Sequence, residues 1–217
     1  MQRLLMLGAS GKTGGHALRY ALEKGLEVVA LVRDPSKLEA RPGLTVRKGT
    51  PASLADVQRA IAGCTAVLSF LGHERALFPA WLPHPTPPRL MTSAMVNTVQ
   101  AMKEHALRRV VILSAAGVGD SGWAVPPVWK LIMRHTNIKI VYADHEAQEK
   151  VLAESGLDWT SVRAVALLGD KVSRTRVSYD GVPRPSRAIS RAQTATFMVD
   201  CLLHPEFFGK APVASTD

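Results

Sequence analysis

The most constraining feature of the sequence is a short hydrophobic run that ends in three evenly spaced glycines. The run from Leu4 to Leu7 is followed by Gly8, Gly11 and Gly14 in the spacing G-x-x-G-x-x-G, and a helical pattern begins at Thr13. Gly8 allows a tight turn out of a strand, and Gly14 allows a helix to pack closely on that strand. The chain is therefore expected to begin with a strand, a tight turn and a helix in close contact.

The same turn predicts a ligand. Gly11 lets backbone approach a pyrophosphate without a side chain in the way, and free amides at the start of a helix face such a phosphate. Because the glycines follow a strand and open a helix, they predict a dinucleotide-binding site. Gly11-Lys12-Thr13 also resembles the end of the phosphate loop of nucleoside triphosphatases. That loop needs a glycine where this chain has Met6, which argues against a triphosphatase.

Hydrophobic runs of strand length alternate with helical patterns along the 217 residues. This alternation predicts an α/β protein with a doubly wound parallel sheet, in a single domain that covers residues 1–217. The predicted strands are Leu4 to Leu7, Glu27 to Val32, Leu44 to Arg47, Ala66 to Leu71, Val110 to Ser114 and Trp159 to Arg163. The predicted helices are Thr13 to Lys24, Ser53 to Ala62, Arg89 to His105 and His145 to Glu154.

Two segments interrupt the alternation. Residues 72–88 contain five prolines and follow the fourth predicted strand, at the edge where parallel sheets bind ligands. Residues 168–187 are mixed and polar, with a turn signal at Asp180-Gly181 between two short possible strands. We interpret both segments as substrate-side loops that form a small subregion of the same domain.

The residue after the second predicted strand indicates which dinucleotide binds. NAD enzymes tend to keep an acidic residue at this position, whereas an arginine accommodates the 2'-phosphate of NADP. The chain has Arg33 there, a planar donor suited to phosphate, and the alternative is that Arg33 is only a solvated loop residue. Asp34 leaves two roles open, since it could take the acidic role or cap the turn. We expect NADP (NADPH) as the cofactor.

Composition and residue spacing argue against several other classes of protein. The 27 basic and 18 acidic residues give a net charge of +9, which permits anionic partners, but no aromatic-interleaved basic strip predicts nucleic-acid binding. Two cysteines exclude a disulfide framework, and the histidines lack metal-site spacing, so no bound metal is expected. No apolar run approaches the roughly 20 residues that cross a bilayer. We expect a soluble cytoplasmic protein without a membrane partner, in an oligomeric state that the sequence leaves open.

With these features in view, the chain resembles the atypical short-chain dehydrogenase/reductase superfamily, and within it the proteins like flavin reductase (biliverdin reductase B) and the NmrA-like group. The resemblance runs from Leu4 to about Asp170 and implies a Rossmann fold that binds NAD(P). It is carried by GASGKTG at Gly8 to Gly14, LVRDPSKL at Leu31 to Leu38, AGCTAVLSFLG at Ala62 to Gly72, RRVVILSAAGVGDS at Arg108 to Ser121 and DHEAQEKVLAESGLDWTSVR at Asp144 to Arg163.

The resemblance also implies which residues contact the dinucleotide. One group of residues contacts the phosphates of the dinucleotide, and another group lies beside the adenine ribose. Ser114 and Ala115 lie beside the nicotinamide. Relatives often have Gly-Asp after the third strand, near adenine, where this chain has Gly49-Thr50. The expected set is Ser10, Lys12 and Thr13 at the pyrophosphate, Arg33 at the adenosine phosphate, Leu71 and Gly72 at the ribose, Thr50 near adenine, and Gly8, Gly11 and Gly14 in the turn.

Typical members of the superfamily use a tyrosine with a lysine four residues later, which exchanges a proton with a carbonyl or an alcohol. Tyr20 and Lys24 have this spacing, but they belong to the first predicted helix, and we interpret the pair as chance. After Ser114 the nearest tyrosine is Tyr142, which is followed four residues later by Glu146. Ordinary alcohol dehydrogenation is therefore disfavoured, as is an epimerase of nucleotide sugars.

Hydride transfer to a flavin or a quinone asks less of a protein, because the acceptor can collect its proton from solvent. We therefore expect an NADPH-dependent oxidoreductase that reduces a small planar acceptor directly. Ser114 is the expected catalytic residue, as a hydrogen-bond donor, and strand capping is its alternative role. Aromatic surface for stacking is offered by Trp123, Trp129 and the loop residues Phe78, Trp81, Leu82 and His84. The alternative function is a non-catalytic NADP(H) redox sensor of NmrA type that binds a partner protein.

One charged group at the predicted helix from His145 to Glu154 has two possible roles. Asp144, His145, Glu149 and Lys150 fall on one helical face, in the segment where the resemblance implies substrate-side residues. A solvated face is the expectation, and contact with the substrate is the alternative.

Overall fold

The computed structural model describes residues 2–73 and 86–217. The strands are β1 (Arg3–Leu7), β2 (Glu27–Val32), β3 (Leu44–Lys48), β4 (Ala66–Ser69), β5 (Arg109–Ala115), β6 (Asp158–Ala164), β7 (Ala166–Leu167), β8 (Thr175–Ser178), β9 (Ala188–Ile189) and β10 (Val213–Thr216). The helices are α1 (Lys12–Glu23), α2 (Leu54–Ile61), α3 (Leu90–Glu104), α4 (Pro127–His135), α5 (Ile138–Ala153) and α6 (Arg191–Cys201). None of the helices in these two ranges is long and apolar enough to span a membrane.

Eight strands form the main sheet in the order β3-β2-β1-β4-β5-β6-β10-β8. Every neighbouring pair is parallel except β10 with β8, which is antiparallel. The chain fills one side of β1 first and then crosses to β4 on the other side, as the doubly wound prediction requires. The strand order reverses between β1 and β4, and open α/β sheets bind ligands in a crevice at the carboxyl ends of the strands at such a point.

The sheet is buried on both faces because helices cover both. Leu4 and Met6 belong to one hydrophobic cluster, which also contains residues of α1 and α6. Leu5 and Leu7 belong to a second cluster, with residues of α2, α3 and α5. Alternate residues of β1 thus face opposite layers, and this explains why the predicted strands are continuously hydrophobic.

The structure confirms the six predicted strands and three of the four predicted helices, which are α1, α2 and α3, and corrects the fourth. α5 begins at Ile138, seven residues before the predicted start at His145, and α4 and α6 were not predicted. α4 carries apolar residues but buries none of them, and Val128, Leu131 and Ile132 stay exposed. α6 buries Gln193 and Thr194 together with its apolar residues, which blurs its hydrophobic period.

The segment 168–187 is only partly a loop. Its strand β8 extends the main sheet by pairing with β10, a contact that no local pattern signals. The predicted turn at Asp180-Gly181 is confirmed: both residues have positive φ, and Tyr179 and Val182 exchange backbone hydrogen bonds across it. The substrate-side role of this segment remains a prediction. Most of the other predicted loop, residues 74–85 of 72–88, lies outside the described residues.

Candidate active site

The glycine turn, residues 8–14, has the geometry that its spacing predicts. Gly8 has a φ of +81°, and a Cβ on Gly8 would lie 2.9 Å from the backbone of Phe70 at the end of β4. A Cβ on Gly14 would lie 2.1 Å from the carbonyl oxygen of Gly8, so no side chain fits between α1 and the turn. Gly11 is the N-cap of α1. The turn therefore holds the start of α1 directly against the end of β1.

The start of α1 suits an anion. No side chain caps this helix, and its first turn contains no acidic residue. Ser10 and Lys12 are exposed beside it, while Thr13 is buried. Uncapped amides, the positive end of the helix dipole and a lysine together attract a diphosphate. The cradle that Gly8, Gly11 and Gly14 leave open thus fits the dinucleotide, while the contacts of individual residues remain predictions.

At the end of β2 the structure shows one of the two roles considered for Asp34, the capping of a turn. Its carboxylate accepts hydrogen bonds from the Ser36 amide at 3.1 Å and the Ser36 hydroxyl at 2.6 Å, and these bonds lower the pKa of Asp34. Asp34 therefore caps the short helical turn Pro35–Lys37. Arg33 is exposed next to it, and Lys48 lies in register with Val32 on the neighbouring strand. This corner of the crevice is consequently basic.

Thr50 follows β3 and is held by a helix. Its amide donates a hydrogen bond of 2.9 Å to the Asp56 carboxylate, and this bond lowers the pKa of Asp56. The Thr50 hydroxyl accepts a bond of 3.3 Å from the Ala52 amide. Asp56 thus orders the segment after β3 at the position where relatives often have an aspartate. A contact between Thr50 and adenine remains a prediction.

A cleft of about 1410 Å³ opens along the carboxyl ends of β4, β5 and β6. Pockets for one small molecule measure about 300 to 1,000 Å³, so this cleft has room for two ligand groups side by side. The predicted residues that line it are Leu71 and Gly72 after β4, Ser114 and Ala115 at the end of β5, and Trp123 and Trp129 opposite them. The predicted stacking residues Phe78, Trp81, Leu82 and His84 lie outside the described residues.

Ser114 is the clearest unpaired polar group of the cleft. Its residue is only 3% exposed, and its hydroxyl has no hydrogen-bond partner within residues 2–73 and 86–217. Leaving a buried hydroxyl unpaired is unfavourable unless a ligand supplies the partner. Strand capping, the alternative role for Ser114, is not observed. The hydroxyl is therefore available to a molecule in the cleft.

His145 is a second polar group of the cleft, and its neighbours fix its protonation. The Gln148 amide nitrogen lies 3.2 Å from the Leu113 carbonyl oxygen, which can only accept, and 2.9 Å from His145 Nδ1. Since this nitrogen donates both bonds, Nδ1 is an acceptor and the proton of the ring lies on Nε2. Burial lowers the pKa of His145 to about 4. The ring is thus a neutral hydrogen-bond donor at pH 7.

The expected solvated face on α5 is wrong for three of its four residues. Asp144 and His145 are buried, and Glu149 accepts a 2.8 Å bond from the Arg163 guanidinium in an almost fully buried ion pair. Only Lys150 is exposed. The reason is that α5 packs against α3 on one side and against β5 and β6 on the other, so two of its faces are covered.

Asp144 joins three elements next to the cleft. Its carboxylate accepts bonds of 2.9 Å from the amides of Met91 and Thr92, so it caps α3 from the neighbouring helix. It also bonds the Thr92 hydroxyl at 2.5 Å and His73 Nε2 at 2.8 Å. Burial alone would raise the pKa of Asp144, but these hydrogen bonds lower it to about 2. Asp144 thereby positions His73, which lines the cleft.

The tyrosines do not provide a proton-transfer pair. The Tyr20 hydroxyl donates to Asp200 on α6 at 3.0 Å, and Lys24 lies over the Tyr20 ring, away from the cleft. Tyr142 does line the cleft, but its hydroxyl donates to the Ala116 carbonyl at 3.1 Å and accepts from Trp129 Nε1 at 3.4 Å. Burial raises the pKa of Tyr142. This tyrosine therefore anchors α4 to α5.

His73 is not among the residues predicted for the site, and substrate contact by His145 is the less favoured of the two alternatives for the charged face. A signal for His145 was present, since Gln148 follows it by three residues and lies on the same side of a helix, but the predicted helix began too late to show this face. Within the described ranges no three or more His, Cys, Asp or Glu side chains form a group that could hold a metal ion.

Known structures share this fold along their whole length. An oxidoreductase, ylbE, from Lactococcus lactis superposes with a TM-score of 0.81 at 14% identity, over 100% of this chain and 91% of that one. A short-chain dehydrogenase/reductase from Veillonella parvula, in complex with NADP, gives 0.78 at 18% identity over 99% and 94%. ChuY, an anaerobillin reductase from Escherichia coli O157:H7, gives 0.77 at 18% over 99% and 97%. The model of the NAD(P)H-binding family matches residues 8–205, and the chain belongs to that family.

Proposed function

We propose that this protein is an NADPH-dependent reductase that transfers hydride directly to a planar acceptor such as a flavin or a quinone. The observation that carries the proposal is the composition of the cleft. It combines an unpaired buried hydroxyl, a neutral imidazole and two tryptophans beside the predicted nicotinamide position, and none of its described tyrosines has a lysine partner.

Three observations support NADPH as the cofactor. The glycine turn leaves a backbone cradle at the start of α1, Arg33 and Lys48 make the end of β2 basic, and Asp34 is engaged in capping a turn. An arginine at this position suits a 2'-phosphate, and an aspartate bound to its own turn is less available to ribose hydroxyls. The related Veillonella protein was solved with NADP.

The cleft residues favour a reduction that needs no dedicated proton relay. When bound, NADPH supplies the hydride. Ser114 and His145 would donate hydrogen bonds to the acceptor atom on which negative charge develops. Solvent then supplies the proton, because the cleft is open and a flavin or quinone exchanges protons readily. Trp123 and Trp129 offer flat apolar surface on which a ring can stack.

A protein of similar structure and the size of the cleft both support a planar substrate. ChuY is an anaerobillin reductase, so one protein with this fold reduces an extended conjugated molecule. The cleft also exceeds the volume of one ordinary ligand, as a nicotinamide and a stacked acceptor together require.

The test is consumption of NADPH by the purified protein with riboflavin, FMN or a quinone as acceptor. We expect oxidation that depends on both reactants, and deuterium on the transferring carbon of NADPH should slow the chemical step. Saturable NADPH binding with no turnover of any acceptor would overturn the reductase and favour the redox sensor.

A further inference from the structure

One wall of the cleft is cationic. Arg184, Arg187 and Arg191 line it, and we call them the arginine wall. The first two belong to the segment between β8 and β9, and the third is the first residue of α6. No Asp or Glu is among the described residues that line the cleft. The wall therefore gives this end of the cleft a positive potential that no neighbouring carboxylate in the lining offsets.

The arginine wall also differs in its pairing from several other arginines of the chain. Arg108, Arg163 and Arg176 each form an ion pair with a carboxylate. Within residues 2–73 and 86–217, none of the three wall arginines forms an ion pair. Arg191 additionally occupies the first turn of α6, where the helix dipole opposes a positive charge. The structure thus places these cations where neither ion pairing nor helix stability requires them.

An aromatic surface lies close to this wall. A Cβ on Gly181, in the turn before Arg184, would lie 3.7 Å from the Trp123 ring. Trp129, whose Nε1 donates a hydrogen bond to the Tyr142 hydroxyl, also lines the cleft. A molecule that fills this part of the cleft would meet flat apolar rings beside the guanidinium groups. The matching ligand has a planar apolar body and an oxyacid group such as a phosphate or a carboxylate.

We infer that the arginine wall is a subsite for an anionic group on the acceptor, so that the enzyme selects planar acceptors that carry a phosphate or a carboxylate. This inference rests on the proposed function, because it names the class of acceptor that the reductase takes. It also predicts that the wall contributes to acceptor binding and not to binding of the dinucleotide phosphates, which the glycine turn and Arg33 would contact.

The first experiment compares FMN with riboflavin, which share one ring system and differ by a phosphate. At low ionic strength the wild type should have a KM for FMN at least about tenfold lower than for riboflavin, as expected when charged hydrogen bonds are gained. The double variant Arg184→Gln/Arg187→Gln should lose most of this preference while its KM for riboflavin and for NADPH stays unchanged. Arg134→Gln removes one charge from the exposed surface of α4, outside the cleft lining, and should keep the preference.

The second experiment does not depend on turnover. Anilinonaphthalene sulfonate and its neutral parent phenylnaphthylamine are fluorescent planar probes that differ by a sulfonate. With NADP present, the sulfonate should bind more tightly to the wild type, and the double variant should remove the difference. A folded double variant, checked by its thermal unfolding, that retains both the FMN and the sulfonate preference would overturn the subsite.

The experiments can overturn the anionic subsite and the reductase activity independently of each other. Turnover of FMN and riboflavin with equal KM, together with equal binding of the two probes, would overturn the anionic subsite and leave the reductase standing. Absence of turnover with every acceptor would overturn the reductase, while the probe comparison would still decide the subsite. A raised KM for NADPH in the double variant, with the acceptor preference intact, would assign the wall to the cofactor and overturn the inference.

Discussion

The glycine turn and the cleft lie at the same edge of the sheet, but they are made from different parts of the polypeptide. The turn is made of seven consecutive residues, Gly8 to Gly14, and its backbone packs so closely that no side chain fits at Gly8 or Gly14. The cleft is made of side chains from β5, α4, α5 and residues 181–191, which are brought together by the fold. A local motif can fix the first site, whereas the second depends on long-range packing.

The largest effect on stability and on NADPH binding is expected from a substitution in the glycine turn. Gly14→Ala would place a methyl group 2.1 Å from the Gly8 carbonyl oxygen, and backbone on both sides cannot move away cheaply. We expect a loss of at least about 3 kcal/mol in the free energy of unfolding, measured with urea, and loss of NADPH binding.

Gly15→Ala is the matched control for that substitution. Its Cβ would meet the Ala9 carbonyl oxygen at 3.8 Å, an ordinary contact. In the interior of α1, alanine should stabilise the protein by about 1 kcal/mol or less and leave NADPH binding intact. A Gly14→Ala protein as stable as Gly15→Ala would contradict the description of the turn.

The next largest effect on stability is expected from a substitution of Asp144, and it tests the packing around the cleft. Asp144 has a pKa of about 2 in the folded protein, below its ordinary value of 3.8, so its stabilisation is present above about pH 4 and is lost as the pH falls toward 2. Asp144→Asn should lower the free energy of unfolding by about 2 to 3 kcal/mol at pH 7, and the difference from wild type should shrink in acid.

Asp158→Asn controls for the loss of a carboxylate as such. Asp158 pairs with exposed Arg108 at the surface, so its substitution should change stability little at any pH. A difference between Asp144→Asn and wild type that is constant from pH 7 to acid would refute the role of the Asp144 charge.

A smaller effect separates catalysis from stability. Ser114→Ala removes an unpaired buried hydroxyl, so stability should stay equal or rise, while turnover should fall about tenfold to a hundredfold through loss of a hydrogen bond to the reacting groups. Ser178 is also buried and unpaired in the described part of the chain, but it lies outside the cleft lining. Ser178→Ala should change the free energy of unfolding in the same way as Ser114→Ala, and it should keep full turnover. Unchanged kcat in Ser114→Ala would remove Ser114 from the mechanism.

The smallest effect concerns the tyrosine–lysine spacing in α1. Tyr20→Phe removes the hydrogen bond to Asp200 and should cost about 1 kcal/mol of stability, with kcat unchanged. Steady-state kinetics measure kcat, and urea unfolding measures the stability. A loss of turnover here would mean that the pair takes part in the reaction.

The comparison of the two sites also explains what the sequence could predict. β1, the glycine turn and Arg33 follow from local spacing, and the continuous hydrophobic runs predict the doubly wound sheet. α4 escapes prediction although its sequence is amphipathic. The short possible strand before Asp180 is present as β8, but nothing in its sequence indicates that it pairs with β10, about forty residues later in the chain. Local periodicity carries no information on such contacts.

The lining of the cleft could be predicted only in part. Ser114, Trp123 and Trp129 line it as expected, but the late predicted start of α5 hid the relation between His145 and Gln148. The burial of Asp144 comes from α3, whose first turn it caps, and Glu149 is covered through its pair with Arg163. A charged face in sequence looks solvated until its partners on other elements are known.

Calorimetric titration with NADPH, NADP, NADH and NAD tests the central claim that the glycine turn holds a dinucleotide. We predict saturable binding, tighter for the phosphorylated pair, and a loss of about 1 to 3 kcal/mol for NADPH in Arg33→Ala with NADH unaffected. An equal loss for both nucleotides would contradict the assignment of Arg33 to the 2'-phosphate. Absence of saturable heat with all four would contradict the account as a whole.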